Sequence, residues 1–175
     1  AKEGAGYKVI ITSAGDDSGI TFTINGAIVG QLTEQGQVPN TNNPEVLAGP
    51  DGTPATVTSA YFYSRIDSIV ISGAAAGAGV SVGTTGDLAL PRCRIKGFYV
   101  LGDAGAGSLK INRFSYTTSA YPTVAVESLL DITTPAGATL TQFLSLPGQG
   151  ILTGQQHNDF AVVTLDGADY SLFCG

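Results

Sequence analysis

The segment Gly15-Asp16-Asp17-Ser18-Gly19 has the residue types in this sequence that come nearest to a chemical site. Two adjacent carboxylates and a hydroxyl between glycines could bind a metal ion or hold a phosphate. A calcium loop needs further oxygen ligands, usually ending in a bidentate Glu, and no Glu follows within about a dozen residues. Asp, Ser and Gly are also the residues of tight turns, because their side chains bond the local backbone. The segment is therefore predicted to be a hairpin turn and not a metal or phosphate loop.

Catalytic groups are sparse elsewhere. His157 is the single histidine, so a Ser-His-Asp or Cys-His site would have to use it. Asp159 lies two residues away, but no nucleophile motif is near, and the segment is typical of a polar turn. Cys93 and Cys174 are too far apart in sequence for a zinc motif. The sequence predicts no catalytic, cofactor-binding or metal-binding residue, and a hydrolase is kept only as a third hypothesis.

A short basic stripe is formed by Arg92, Arg94 and Lys96, which alternate with Cys93 and Ile95. On a β-strand the three cations would share one face, and Cys93 and Ile95 would share the other. The cationic face is either a solvated sheet surface or a docking patch for an acidic partner. Such a partner could be a neighbouring subunit or the acidic first half of the chain.

A long polar segment spans residues 34–55 and contains four prolines and several Asn and Gly residues, with no apolar period. Proline removes backbone donors from a strand ladder, and long loops are often functional. The segment is predicted to be an exposed loop that contacts a partner and not its own core. The candidate contact residues are Val38, Pro39, Asn40, Asn42, Asn43 and Pro44.

The elements that must position these residues are predicted to be strands. In Ile20–Ile24 the apolar residues fall at every second position, which is the period of a half-buried strand. The chain has 24 Gly, 8 Pro and 13% charged residues, and no sustained helical period. Residues 124–132 come nearest to a helical pattern, but their apolar residues also alternate, so this segment is predicted to be a strand. The composition favours an all-β fold with many tight turns.

Two domains are predicted, with a boundary near residue 89. Residues 1–90 carry three basic residues against eight acidic ones, a net charge of −5, whereas residues 91–175 carry five against six, a net charge of −1. The junction 83–91 is rich in turn and breaker residues. The expected domains are 1–89 and 90–175, each a small antiparallel β-sandwich or jelly-roll-like unit. A single sandwich that shares strands between the halves is the alternative.

Alternation also predicts the strands and the core. The predicted strands are 7–13, 19–25, 27–33, 55–63, 66–72, 78–83, 93–101, 107–116, 123–132, 138–146, 149–153, 159–165 and 169–174, and Asp166-Gly167 is predicted to turn a hairpin. The residues expected inside are Ile10, Ile20, Phe22, Ile24, Ile69, Ile71, Val80, Val82, Ile95, Phe98, Leu109, Ile111, Val163, Leu165 and Leu172. Val9 and Ile11 compete with Ile10 for the inward face, because a shift of one residue reverses a strand.

Charge and targeting signals restrict the partners. The net charge of −6 makes the chain a poor ligand for nucleic acid, and its polar opening residues predict neither a signal peptide nor a membrane span.

Cys93 and Cys174 are predicted to lie on core-facing positions of the first and last strands of the second half. Because Cys is a common small buried hydrophobe, we expect two reduced, buried thiols, and a disulfide between the two cysteines is the alternative.

Two stretches resemble modules of tailed-bacteriophage virion proteins. The first is VIITSAGDDSGITFTING followed, after the long loop, by SAYFYSRIDSIVISGAAAGAGVSVGTTG. The second opens with RIKGFYVLGDAGAGSLKI and closes with LSLPGQGILTGQQHNDFAVVTLDGADYSLFCG. Together they cover most of the chain except the long loop and about residues 114–136, and the first half departs from the pattern at 27–50. The motifs are strand and turn patterns, and no catalytic residue is carried over.

This resemblance implies a structural role in the virion, which would be assembled in the host cytoplasm. The first hypothesis is a protein that decorates or cements the capsid shell as a homo-oligomer, with the major capsid protein or other virion subunits as partners. The second is a neck, tail or fibre component with a receptor- or glycan-binding loop. No cofactor, nucleic acid or membrane is expected in either role.

Overall fold

The structure, a computed structural model, describes residues 4–29, 44–76, 79–91, 93–101, 107–115, 125–134, 141–146, 148, 150–153, 159–166 and 169–174. Within these ranges the chain forms strands and no helix, and every recorded strand pairing is antiparallel. The predicted all-β class is confirmed. The strands are β1 Gly6–Ser13, β2 Thr21–Ile28, β3 Glu45–Ala48, β4 Ala55–Ile71, β5 Val80–Leu90, β6 Arg94–Leu101, β7 Gly107–Ser115, β8 Glu127–Thr134, β9 Thr141–Ser145, β10 Ile151–Leu152, β11 Asp159–Asp166 and β12 Asp169–Cys174.

The chain divides into two compact units, 1–85 and 86–175. In the first unit the strand order is β3-β2-β4-β1-β5. The central strand β4 has 17 residues and serves two partners in turn. Residues 55–63 pair with β1, and residues 63–71 pair with β2. The two partners lie on opposite edges of β4, and the two pairings overlap at Tyr63, which lies opposite both Tyr7 and Ile28.

The pairing between β1 and β4 contains a bulge. Between Lys8 and Ile10 of β1 the register on β4 moves from Phe62 to Thr58, so β4 carries two extra residues. The extra residues displace backbone donors from the ladder, and side chains replace the lost acceptors. Ser59 Oγ accepts from Val9 N at 2.8 Å and donates to Tyr61 O at 2.8 Å.

Glu45 on the short strand β3 completes the bulge. Its Oε1 accepts from Ala60 N at 2.6 Å, and its Oε2 accepts from the hydroxyl of Tyr63 at 2.9 Å. The side chain is buried, with a relative exposure of 8%. A buried carboxylate therefore ties β3 to β4 with both of its oxygens satisfied by hydrogen bonds.

The core of the first unit lies between β1 and β2. Val9, Ile11, Phe22 and Ile24 are fully buried, whereas Ile10 is only partly buried. The inward prediction for Ile10 is therefore wrong by one residue. The competing Val9 and Ile11 face the core, and the buried positions alternate from Val9 through Ile11 to Ser13.

The second unit has two sheets. One has the order β5-β11-β7-β8, and in the other β6 pairs with β10 and β9 and with β12. Both sheets contribute to one core, to which β6 gives Ile95 and Phe98 and the larger sheet gives Leu109, Ile111 and Val163. Strand β5 crosses from the first unit into the second, and its residues Leu88–Leu90 pair with β11.

The predicted core is confirmed for one set of residues and wrong for another. The confirmed buried residues are Phe22, Ile24, Ile95, Phe98, Leu109, Ile111 and Val163. Besides Ile10, the residues Ile20, Ile69, Ile71, Val80 and Val82 are partly buried or exposed. They lie at the ends of strands, where alternation continues but no described layer covers the side chains. The side chains of Leu165 and Leu172 lie outside the described part of the structure.

Three predictions about how the strands connect are wrong. The Gly15–Gly19 segment is a turn but not a hairpin, because it joins β1 to β2 and β4 lies between those strands. The predicted break between strands 19–25 and 27–33 is wrong, because Asn25-Gly26 lies inside β2, opposite a bulge at Asp67 of β4, and a Cβ at Gly26 would meet the carbonyl oxygen of Arg65. The β11–β12 connection at Asp166-Gly167 passes from one sheet to the other.

Two segments that were predicted to be irregular contain β-strands. The expected breakers at 83–90 lie inside the continuous strand β5. Within the predicted loop 34–55, residues Glu45–Ala48 pair with Thr21–Ile24 of β2. Glu45, Gly49 and Pro50 are buried, so this part of the segment belongs to the core side of the unit. Four residues between prolines are too few to show a strand period.

Truncation of Glu45 tests the closure of the bulge. We expect Glu45→Ala to lower the free energy of unfolding by about 3 kcal/mol, because Ala60 N–H and the Tyr63 hydroxyl both lose a buried acceptor. Glu45→Gln keeps an acceptor and should cost about 1 kcal/mol. Asp131→Ala, which removes an exposed ion pair of 3.8 Å with Lys110, is the control and should change stability by less than about 0.5 kcal/mol. Equal urea midpoints for Glu45→Ala and Asp131→Ala would contradict this role.

Candidate functional site

The Gly15–Gly19 segment is a turn, as predicted. Asp16 Oδ1 accepts from Ser18 N at 3.0 Å, and Asp17 O accepts from Ile20 N at 3.0 Å. The bonds from Ser18 lower the pKa of the exposed Asp16 carboxyl below its ordinary value. The carboxylate of Asp16 is therefore used by its own backbone, in the geometry of an Asx turn.

Asp17 has a structural role that the sequence did not reveal. Its side chain is almost fully buried, with 2% exposure. Its backbone N donates to Pro50 O at 2.9 Å, and its Oδ1 accepts from Ala76 N at 2.6 Å. Gly49 packs so closely that an added Cβ would meet the carbonyl oxygen of Asp17. Asp17 thus joins three chain segments that are far apart in sequence, and its Oδ2 is buried without a hydrogen-bond partner.

Asp159 is also buried, and it lies at the start of a strand, as the predicted strand 159–165 places it. It begins β11 and is 3% exposed. Arg113 on the neighbouring strand β7 contacts Asp159 Oδ2 at 3.3 Å and Glu127 Oε2 of β8 at 2.9 Å. The guanidinium therefore links three adjacent strands between two carboxylates. His157 lies outside the described residues.

The basic stripe follows the predicted alternation where the structure describes it. Ile95 is fully buried, Arg94 is half-buried and Lys96 is exposed. These residues lie on β6, where Arg94 is opposite Leu152 of β10. Arg92 lies outside the described residues. The sheet geometry brings Arg94 and Lys96 to the face opposite Ile95, and the docking role of this patch stays a prediction.

The predicted contact loop is described only at its end. Val38, Pro39, Asn40, Asn42 and Asn43 lie outside the described residues, and Pro44 is exposed. The chain enters β3 directly after Pro44. From residue 45 to residue 50 the prediction of a loop that avoids the core is wrong, because Glu45 and Pro50 are buried.

Cys93 is half-buried and not fully buried as predicted, and its reduced state stays a prediction. Its backbone N donates to Thr153 Oγ1 at 2.7 Å, and this hydroxyl donates in turn to the carbonyl oxygen of Pro91 or of Cys93, each at 3.0 Å. Cys174 lies opposite Ile95 on the neighbouring strand, and its side chain is outside the described part. The state of the second thiol therefore stays a prediction.

A row of apolar side chains crosses the outer surface of the first unit. The register places Thr23 of β2 between Val46 of β3 and Val70 of β4. Val46 is 60% exposed and Val70 is 55% exposed. We call these three residues the valine row. Sequence reasoning missed it because Val46 fell in a predicted loop and Val70 in a strand whose neighbours were unknown.

A shallow cavity of about 410 Å³ opens at the end of β1 in the first unit. Its described lining has small, neutral side chains and consists of Thr12, Ser13, Ala14, Pro54, Gly79, Val80 and Ser81. The hydroxyl of Ser13 already accepts from Gly15 N at 3.1 Å. This lining offers shape but no charged group that could orient a ligand.

The titration of Asp16 tests the turn interpretation. Its lowered pKa means that the carboxylate stabilises the fold at pH values above its unfolded pKa. This contribution is lost as the pH falls through the lower, folded pKa. We expect the side-chain carboxyl ¹³C shift of Asp16 to titrate below pH 3.8, and Asp16→Asn to remove this step. A midpoint above that value, or a rise in melting temperature on adding millimolar Ca²⁺, would contradict a simple turn.

Among the described residues, no three His, Cys, Asp or Glu side chains lie close enough together to hold a metal ion. In the same part of the chain, no helix is long and apolar enough to cross a membrane. Comparison of the sequence and fold with protein-family models, with curated proteins and with solved structures finds no match. The function has to be argued from the surfaces and contacts of this chain itself.

Proposed function

We propose that this chain is a non-enzymatic structural component of a bacteriophage virion, which decorates or cements the capsid shell through subunit contacts. The observation that carries the proposal is the valine row on a rigid sheet surface. The assignment to a phage rests on the sequence resemblance, and the contact role rests on this surface.

The valine row has the chemistry of a protein contact. Its three side chains are β-branched and therefore lose little rotamer entropy when a partner covers them. Covering a valine that is more than half exposed contributes roughly 1 kcal/mol. The chain has few charged residues, 13% in all, and interface cores are depleted of charge in the same way.

The strands beneath the row are held in place by buried side chains and hydrogen bonds. Thr23 lies on β2 between the fully buried Phe22 and Ile24, and β3 is held by the two hydrogen bonds of Glu45. Asp17 and Asp159 likewise hold distant segments or neighbouring strands together. The buried carboxylates thus serve the fold, which suits a protein that presents a fixed surface and not a reactive site.

A neck, tail or fibre protein with a glycan-binding loop is the alternative role. Glycan binding favours clustered exposed aromatic rings, and the aromatic run at 61–63 is the segment of that kind in the sequence. Phe62 and Tyr63 are buried, at 5% and 4% exposure, and Tyr61 is half-buried. Because these rings are turned into the fold, the decoration role is preferred.

The test is incorporation into virus particles. A tagged wild-type chain should co-purify with intact virions, and Val46→Lys should reduce its incorporation by at least about tenfold, because a desolvated lysine has no partner there. Val126→Lys is the matched control, since Val126 is 59% exposed on the second unit, and it should be incorporated normally. Melting curves must show that both variants fold.

Copy number then separates the two virion roles. Hundreds of copies per particle indicate shell decoration, whereas about six or twelve indicate a neck or tail ring. Absence of the chain from purified virions overturns the proposed function. Equal loss of incorporation in the Val46→Lys and Val126→Lys variants would show that the valine row is not the contact surface.

A further inference from the structure

Strand β4 has an open edge in its second half. Beyond Tyr63 its recorded pairing is with β2 on one side, from Arg65 opposite Ala27 to Ile71 opposite Phe22. Its pairing with β1 ends at Tyr63. Within the described residues no strand lies on the other side of residues 65–71, so alternate backbone N–H and C=O groups point outward. An edge of this kind is a template for another strand.

The side chains along this edge are exposed and apolar. Val70 is 55% exposed, and Ile71 is 41% exposed although it lies opposite the fully buried Phe22. Ile69 is partly exposed and lies opposite the fully buried Ile24. These two isoleucines share the face of core residues, which is why alternation predicted them inside. The core of the first unit is therefore uncovered along this rim.

The last part of β4 lacks the features that usually protect an edge strand from pairing, namely a bulge, a proline or a charged residue. Segment Ser68–Ile71 pairs with β2 in regular register, because the nearest bulge lies at Asp67. The segment contains no proline and no charged residue. The charges just before it cancel, since Arg65 binds Asp67 with contacts of 2.7 and 3.2 Å. By contrast, the edge strand β3 is protected by its length of four residues.

The sequence of this segment reads the same in both directions. Residues 68–72 are Ser-Ile-Val-Ile-Ser. Two antiparallel copies related by a two-fold axis through Val70 would place Val70 opposite itself, Ile69 opposite Ile71 and Ser68 opposite Ser72. Every cross-strand pair then joins like with like, apolar with apolar and hydroxyl with hydroxyl. The arrangement brings no charged residue opposite another of the same sign.

We propose that the β4 edge Ser68–Ser72 pairs antiparallel with the same edge of a second copy of this chain, forming a two-fold symmetric dimer. The occupant is a second copy because the palindrome and the neutral flanks make the edge complementary to itself, although each chain carries a net charge of −6. The pairing satisfies the open backbone groups and covers the rims at Ile69 and Ile71.

The dimer also extends the contact surface. Val70 belongs to the valine row, so the two-fold axis joins the rows of both copies into one row running Val46, Thr23, Val70, Val70, Thr23, Val46 across both subunits. The proposed dimer is compatible with the proposed structural role, because that role needs contacts between subunits. It is tested on the isolated chain, so that its failure and the failure of the virion role are distinguishable.

The first experiment is cross-linking at the axis. The Val70→Cys variant should form a covalent dimer under mild oxidation, because directly opposed Cβ atoms lie about 5 Å apart in antiparallel strands. The Val46→Cys variant, with similar exposure but far from the axis, is the matched control and should stay monomeric on denaturing gels. Both variants carry Cys93→Ser and Cys174→Ser to remove background. Equal cross-linking of the two variants, or none at Val70→Cys, overturns the proposal.

The second experiment measures association without a new bond. Sedimentation equilibrium of the wild-type chain should show a dimer in the micromolar range, and Val70→Lys should weaken it by about tenfold or more, because two like charges meet at the axis. Val46→Lys should leave the dimer intact. A wild-type chain that stays monomeric at about 1 mM, or a dimer that Val70→Lys leaves unchanged, overturns the inference whatever the outcome of the virion experiment.

Discussion

The architecture of the first unit depends on one strand that pairs with two partners in succession. Strand β4 pairs with β1 through its first half and with β2 through its second. The two partners lie on opposite edges of β4, since β4 stands between β2 and β1 in the sheet. The β1 side contains a bulge at Ser59–Tyr61, where Ser59 Oγ and the Glu45 carboxylate accept from backbone N–H groups that the ladder leaves without a regular partner. The buried carboxylate of Glu45 is therefore a condition of the fold and not a sign of catalysis.

The same arrangement determines which surfaces are available. Because β1 pairs with β4 only as far as Tyr63, the second half of β4 is paired on the β2 side, and on the other side no strand lies among the residues that the structure describes. Because Glu45 holds β3 against β4, Val46 is turned outward beside Thr23 and Val70. The valine row and the open edge meet at Val70. A contact surface and a pairing edge thus follow from one bulged strand.

Features that depend on the local residue pattern could be predicted from the sequence. Features that depend on contacts between distant segments could not. Alternation correctly gave an all-β chain and the buried faces of β2, β6 and β7, through residues such as Phe22, Ile95 and Leu109. It misplaced the inward face of β1 by one residue at Ile10, because Val9 and Ile11 are apolar as well and the buried face is decided by contacts with distant segments. It also broke the strand between residues 25 and 27, since the close approach of Arg65 that requires Gly26 is invisible in the local sequence.

The candidate site was harder to predict for the same reason. The turn chemistry of Asp16 is local and was read correctly, but the burial of Asp17 depends on Pro50 and Ala76. Ile69 and Ile71 were placed inside because their period matches a covered strand. If the proposed dimer forms, a second copy of the chain covers this face, and alternation then marked residues of an interface as residues of the core.

Residue-resolved amide exchange along β4 tests the central claim most directly. In the monomer, at low concentration, amides of residues 55–63 that bond β1 should be protected, whereas those of residues 68–72 that point away from β2 should exchange rapidly. At concentrations where the chain dimerises, this second set should become protected while the first set is unchanged. Protection of both sets in the monomer, or no change at residues 68–72 on association, would contradict an open edge that a second copy closes.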